Sequence, residues 1–218
     1  MIKAIFIDFY GTLVYEDGEN VSRISKQIYQ TGNAASVGEV GTYWWNTFKQ
    51  LFENSYGETF KTQRELERKS LLNTIEYFES SEDGEKLSEE MFTYWEKPPI
   101  FEESKEFLEK CSLPVYIVSN IDRADILKAI EYHGLQPQGV FTSEDALSYK
   151  PRKELFEYAL KQTGLSADEV LHIGDSLSSD IKGAGEVGIK AVWINRGGKN
   201  VPENVIAVSN LMEVLSFI

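Results

Sequence analysis

Hydrophobic and polar positions along the chain follow two regimes. Residues 2–7, IKAIFI, are an apolar run interrupted only by Lys3 and stopped by Asp8 and a Gly11-Thr12 turn, the pattern of a buried strand. From about Ser22 to Tyr94 the character changes. Aromatic and aliphatic residues such as Tyr43, Trp44, Phe48, Leu51 and Phe52 recur at helical spacing with few β-branched runs, which predicts several helices and no sheet. Pro98-Pro99 closes that stretch, because proline removes a donor and restricts the residue before it. Beyond it the pattern alternates: helix over 102–111, strand over 115–118, helix over 123–133, strand over 139–142, helix over 153–163, then strands over 170–173 and 191–194. Such alternation predicts βαβ units and a parallel sheet covered on both faces. The expected fold is α/β, a doubly wound, Rossmann-like core of residues 1–15 and 100–218, with residues 16–99 inserted after the first strand as an all-α cap domain.

Composition narrows the function classes. With 218 residues and 42% hydrophobic content the chain is long enough to bury a core. No stretch reaches the roughly 20 apolar residues that span a bilayer, and the N-terminus lacks the charged, apolar and small-residue series of a secretory leader. A soluble, cytoplasmic protein is expected, with no membrane partner. The one cysteine, Cys111, cannot form an internal disulfide, and with two histidines there is no Cys/His set for structural zinc. Any metal here is expected to be held by oxygens. A formal charge of −13 opposes binding to a phosphate backbone, so no nucleic-acid partner is expected.

Ligands of open parallel sheets bind outside the carboxyl ends of the strands. The expected strands present there Asp8, then Ser119-Asn120, then Lys150-Pro151 after a short loop, and finally Gly174-Asp175-Ser176 with Asp180 five residues past Asp175. Three carboxylates on one rim raise one another's pKa or demand a cation. A hard divalent ion such as Mg²⁺ answers that demand through oxygen ligands and substrate phosphate oxygens. Lys150 adds a positive charge, and Ser119 and backbone N–H groups add donors for phosphoryl oxygens. Phosphoryl transfer asks mainly for such positioning and neutralisation.

Asp8-Phe9-Tyr10-Gly11-Thr12-Leu13, Ser119-Asn120, Lys150-Pro151 and Gly174-Asp175-x4-Asp180 resemble the four ordered motifs of the haloacid dehalogenase-like hydrolase superfamily. The helical insertion after the first motif is similar to the cap of the subfamily that holds many small-metabolite phosphatases and the 2-haloacid dehalogenases. The resemblance implies a nucleophilic Asp8 and a metal held by Asp8, the Tyr10 backbone carbonyl and Asp175, with Asp180 in support. It also implies a phosphoryl group gripped by Thr12, Ser119, Asn120 and Lys150. The expected substrate is a small phosphorylated metabolite, and the expected assembly a monomer or homodimer.

Phosphatases of this family place a second aspartate where this chain has Tyr10. A phenol with an unperturbed pKa of about 10 is a poor proton shuttle at neutral pH. The Asp-x-Tyr pattern resembles the 2-haloacid dehalogenases, whose halide leaves without a proton. Against that, Asp175 beside Asp8 would repel a carboxylate substrate, and the dehalogenases carry uncharged residues there. A member that binds a phosphorylated ligand or a partner without turnover is the third alternative. Other polar residues carry blander expectations. Asp180 falls where a helix would begin and suits its dipole. Glu144 and Asp145 are structural, His172 is a satisfied core histidine, His133 suits a helix end, Cys111 is a small buried apolar group, and Trp44-Trp45 belong to the core of the cap.

Overall fold

The computed structural model describes residues 1–16 and 18–218. The apolar run near the N-terminus forms β1 (Ala4–Ile7), with all four side chains buried, as a strand covered on both faces requires. Ile2 and Lys3, expected in the strand, precede it; the Lys3 N–H donates to the Glu169 carbonyl and its ammonium pairs with the Glu169 carboxylate. The helical regime follows as α1 (Gly18–Thr31), α2 (Val37–Glu53), α3 (Gln63–Tyr77) and α4 (Gly84–Glu96). Local chemistry sets three of their starts. The Ser36 hydroxyl accepts from the Glu39 N–H, Thr62 and Glu65 form a reciprocal capping box, and Asp83 accepts from the N–H groups of Glu85 and Lys86.

The alternating regime follows as α5 (Glu102–Lys110), β2 (Val115–Ser119), α6 (Arg123–His133), β3 (Gly139–Thr142), α7 (Ser143–Ala146), α8 (Lys153–Thr163), β4 (Val170–Gly174), a π-helical segment Leu177–Lys182, α9 (Gly183–Glu186), β5 (Lys190–Ile194) and β6 (Ile206–Val208). The strands form one parallel sheet in the order β3-β2-β1-β4-β5-β6. The doubly wound α/β expectation therefore holds. β6 was not expected: three residues, one of them half exposed, give too short a pattern to read. Ile7 lies opposite Ile117 of β2 and Ile173 of β4, so β1 sits where the strand order reverses. In sheets of this kind that is where ligands bind. Against one face pack Phe6, Val118, Val170, Leu155, Phe156, Ala159, Ala184 and Ile189.

Packing divides the described residues into two units, one of 1–16, Pro99–Arg123 and His133–Ile218, the other of 18–98 with Ala124–Tyr132. The first holds the sheet. The second is helical, with a core that includes Ile24, Ile28, Val40, Trp44, Leu71, Met91 and Trp95. Trp44 is buried, its indole N–H donating to the Ser70 hydroxyl at 3.1 Å. Trp45 departs from expectation: it is 62% exposed and stacks on Phe48. A helix turns about 100° per residue, so neighbours cannot both face the core. Cys111 also departs from expectation, being only half-buried, with its thiol donating to the Leu113 carbonyl. No helix among the described residues is long and apolar enough to cross a membrane.

Candidate active site

The segment after β1 folds back on itself. The Phe9 carbonyl accepts from the N–H groups of Thr12, Leu13 and Val14, and the Gly11 N–H returns to the Val14 carbonyl. Gly11 has φ +85°, where a side chain is strained, and a Cβ there would overlap the Asp175 carboxylate. The outward carbonyls of this turn are met from elsewhere in the unit. Arg196, just past β5, donates from Nη1 to the Gly11 carbonyl (2.8 Å) and from Nη2 to the Thr12 carbonyl (2.9 Å). Its remaining side is held by Glu103, and its guanidinium lies 3.6 Å over the Phe101 ring. The Ser104 hydroxyl takes the Leu13 carbonyl. The turn that carries Tyr10 and Thr12 is thus hydrogen-bonded by residues from the middle of the chain and from near its carboxyl end.

On this frame the structure brings together Asp8, Thr12, Lys150, Asp175 and Asp180. One carboxylate oxygen from each of Asp8, Asp175 and Asp180 lies within 4.8 Å of the other two. The Thr12 hydroxyl donates to Asp175 at 3.4 Å, and the Trp193 indole N–H fixes the Asp175 backbone carbonyl at 2.7 Å. Ser119 is buried at the carboxyl end of β2. Tyr10 is half-buried in the turn, edge-on to Phe9.

A lysine before a proline in a loop is normally solvated, yet Lys150 is 1% exposed. Its ammonium donates to Asp8 Oδ1 (2.8 Å), Asp180 Oδ1 (2.7 Å) and the Val118 carbonyl (2.9 Å). All three N–H bonds are spent, so toward a ligand Lys150 acts as a fixed charge. Asn120 holds its backbone: the amide Nδ2 donates to the Lys150 carbonyl (3.0 Å) and Oδ1 accepts from the Lys150 N–H (2.7 Å). One Nδ2 hydrogen and Oδ1 of Asn120 are thereby engaged with the Lys150 backbone, which leaves its second amide hydrogen for any phosphate contact. Asp180 falls in the first turn of the π-helical segment, near where a helix start was expected. The π-helical segment starts at Leu177, capped by the Ser176 hydroxyl, and Asp180 turns back to accept from the Ser176 N–H. A Cβ at residue 174 would overlap its carboxyl, which explains the glycine before Asp175.

Electrostatics separates the three acids. Burial, opposed by Lys150 and reinforced by Asp180 and Asp175, pushes Asp8 up to about 7. Burial with the charges of Glu16 and Asp180 pushes Asp175 up to about 7. Burial works against Asp180 as well, but Lys150 and His172 outweigh it and hold that carboxyl well below the usual range. Burial also opposes the charge on Lys150, and Asp180 and Asp8 restore it by raising its pKa. One buried cation therefore faces two buried acids and a partly buried one, and Asp8 and Asp175 carry charge at neutral pH only at a cost. A divalent cation with oxygen ligands removes that cost, and the donor set of Asp8 and Asp175 suits Mg²⁺.

Arg196, Glu103, Glu16 and His172 are the residues that pattern alone does not single out. Arg196 stands at a strand end, where the rim rule points to it. Expectation for Glu144 and Asp145 was structural, and both serve Arg123: Glu144 accepts from its N–H and Asp145 from its guanidinium.

A family model described as haloacid dehalogenase-like hydrolase matches residues 2–188. The HAD-hydrolase YfnB of Bacillus subtilis is 41% identical over 93 residues, 41% of this chain and 40% of that protein. The glyceraldehyde 3-phosphate phosphatase of Methanocaldococcus jannaschii is 42% identical over 66 residues, 29% of each. These matches span less than half the length of either relative. Among solved structures, YfnB bound to magnesium superposes with a TM-score of 0.78 at 21% identity, over 99% of this chain and 98% of that one. The L-2-haloacid dehalogenase of Xanthobacter autotrophicus does so with 0.77 at 16%, over 100% and 98%; at such identities the likeness is one of fold. With the family match over nearly its whole length, the four motifs and the sheet that gathers them, this chain belongs to the haloacid dehalogenase-like hydrolases.

Proposed function

We propose that the chain is a Mg²⁺-dependent phosphatase of a small phosphorylated metabolite, working through a phosphoryl group carried on Asp8. The observation that carries this reading is the Asp175 carboxylate beside Asp8, with Asp180 completing the group. A substrate that is itself a carboxylate meets repulsion there, whereas a phosphate monoester arrives with the cation. The magnesium reported with YfnB and the phosphatase among the relatives point the same way.

Asp8, Asp175 and the Tyr10 carbonyl would hold Mg²⁺, which when bound supplies charge neutralisation for the phosphoryl oxygens. Asp8 Oδ1 is occupied by Lys150, which leaves Oδ2 to attack phosphorus. The Asp8 O–P bond forms as the ester P–O bond breaks, and the departing alkoxide takes a proton from water or the Tyr10 phenol. Thr12 and Ser119 hydroxyls would donate to the phosphoryl oxygens, and the fixed charge of Lys150 stabilises the trigonal phosphorus. Water then attacks phosphorus, its proton passing to the Tyr10 phenolate where the phenol had protonated the alkoxide and otherwise to a phosphoryl oxygen, the Asp8 O–P bond breaks, and phosphate leaves. Residues 18–98 are read as the cap that such enzymes carry at this place in the chain, the source of specificity.

Tyr10 favours a second reading, the 2-haloacid dehalogenase, in which Asp8 displaces halide and no proton is needed. A screen against phosphorylated metabolites, an aryl phosphate and 2-chloropropionate, each with Mg²⁺ and with EDTA, separates them. The phosphatase releases phosphate only with Mg²⁺, and Asp8→Asn abolishes it. Halide release in EDTA without phosphate release establishes the dehalogenase. No turnover, with thermal stabilisation by a phosphorylated ligand, leaves a binding protein.

A further inference from the structure

His172 lies in β4 with no solvent exposure, two residues before Gly174. Side chains alternate along a strand, so residues 172 and 174 share a face. Glycine at 174 leaves the space that the Asp180 carboxyl fills, and His172 is the next side chain along that face to reach it. Its Nε2 lies 2.9 Å from Asp180 Oδ1, the oxygen that also accepts from Lys150 at 2.7 Å. The other oxygen, Oδ2, accepts from the Ser176 N–H at 3.0 Å.

An ionised carboxylate only accepts, so the proton of this contact sits on Nε2. The ring is held edge-on to Phe156, centroids 5.0 Å apart. The Phe6 backbone approaches the ring, yet Nδ1, an acceptor in this tautomer, meets no donor in hydrogen-bonding geometry among the described residues. A buried ring nitrogen without a partner is a cost that a merely space-filling residue would not carry. It is offset by what the opposite nitrogen holds. With two donors on Oδ1 and one on Oδ2, Asp180 keeps one lone-pair direction, on Oδ2, and cannot rotate.

We propose that His172 is a positioning residue that, by donating from Nε2, locks the Asp180 carboxylate so that Asp180 ties Lys150 to Asp8 and leaves the cation to Asp8 and Asp175. The proposal rests on the metal-dependent reading above. Without the histidine donor, Asp180 turns about its Cβ–Cγ bond, engages Lys150 differently and competes for the cation site, and Lys150 loses its fixed approach to Asp8. Direct partners of metal ligands are worth about 10–100-fold in affinity or activity, and His172, which acts further out through Asp180 and Lys150, belongs at the low end of that range.

The test is calorimetric titration of the purified, metal-stripped protein with Mg²⁺ alone, in wild type, His172→Leu and His172→Gln. Leucine fills the space without a donor; the glutamine amide nitrogen reaches about where Nε2 stands. Expected is Mg²⁺ affinity lowered about tenfold in the leucine variant and recovered to within about threefold in the glutamine variant. Equal affinity in wild type and the leucine variant overturns the role of His172, as does a glutamine variant no better than leucine. A wild type that does not bind Mg²⁺ sinks the metal-dependent reading and takes this proposal with it. Should the leucine variant not fold, ring ¹⁵N spectroscopy of the wild type decides. The chain has two histidines, so His172 is readily assigned, and an Nε2 without a proton overturns the proposal.

Discussion

Tyr10 stands two residues after Asp8, where a carboxylic acid would hand a proton to a departing alkoxide. General acid–base help is worth about 10²–10⁴-fold, and its lack is felt most by poor leaving groups. Tyr10→Asp is therefore expected to raise kcat at least about tenfold on an alkyl phosphate while changing little on an aryl phosphate, in steady-state assays at saturating Mg²⁺. An equal change on both substrates would show that the missing acid is not what limits the enzyme. Asp8 and Asp175 were legible at this scale because each directly follows a strand, and strand ends can be read from hydrophobic runs, whereas Lys150, beyond α7, and Asp180, inside the π-helical segment, were legible through the ordered motifs that they complete. The roles of Asn120 and His172 were not. An asparagine after a serine gives no sign that its amide closes on a lysine backbone 30 residues away, and a histidine inside a strand gives no sign of which carboxylate it meets.

α6 shows the same division for an element. Its bounds, 123–133, follow from its sequence, but its body packs with the helical unit although its strands on either side, β2 and β3, belong to the sheet. Asp125, in its first turn, is fully buried and takes Arg64 of α3 in two hydrogen bonds, 2.8 Å from Nε and 2.5 Å from Nη2. Glu96 joins through Arg64 and Lys128. Burial opposes the charge on Arg64, but its bond to Asp125, the larger effect, raises its pKa further. Removing one partner of a buried pair strands the other, though Arg64, about one third exposed, regains part of its hydration. Asp125→Ala is expected to lower stability by about 2–3 kcal/mol in urea unfolding, with Arg64→Met and the double variant falling short of additivity by more than about 1 kcal/mol. Additive losses would mean that the two side chains do not stabilise one another.

For the whole molecule, a net charge of −13 and a site with more acid than base make pH a governing variable and, on the proposed metal-dependent reading, divalent ions as well. Asp8 and Asp175, raised to about 7, stay protonated in the folded metal-free protein where the unfolded chain has already released its protons. Their contribution to stability is thus present below the ordinary carboxylate range and is lost as pH rises from about 4 toward 7. Mg²⁺ competes with those same protons, so its affinity is expected to rise with pH up to about 7 and then level. Thermal unfolding at fixed Mg²⁺ should show a small upward shift at pH 5.5 and a large one at pH 8; the reverse trend would mean that the ion binds elsewhere. By itself the sequence determined the order and kind of most elements, with β6, α7 and the π-helical segment excepted, and the parallel sheet, the inserted helices and the acids and lysine that face one rim, because strand and helix periods and turn residues are local. Only the tertiary structure decided who bonds to whom. Lys150 meets Asp8 across 142 residues and Arg196 meets Gly11 across 185, and a hydrogen bond is set by distances of a few tenths of an ångström that no local pattern encodes.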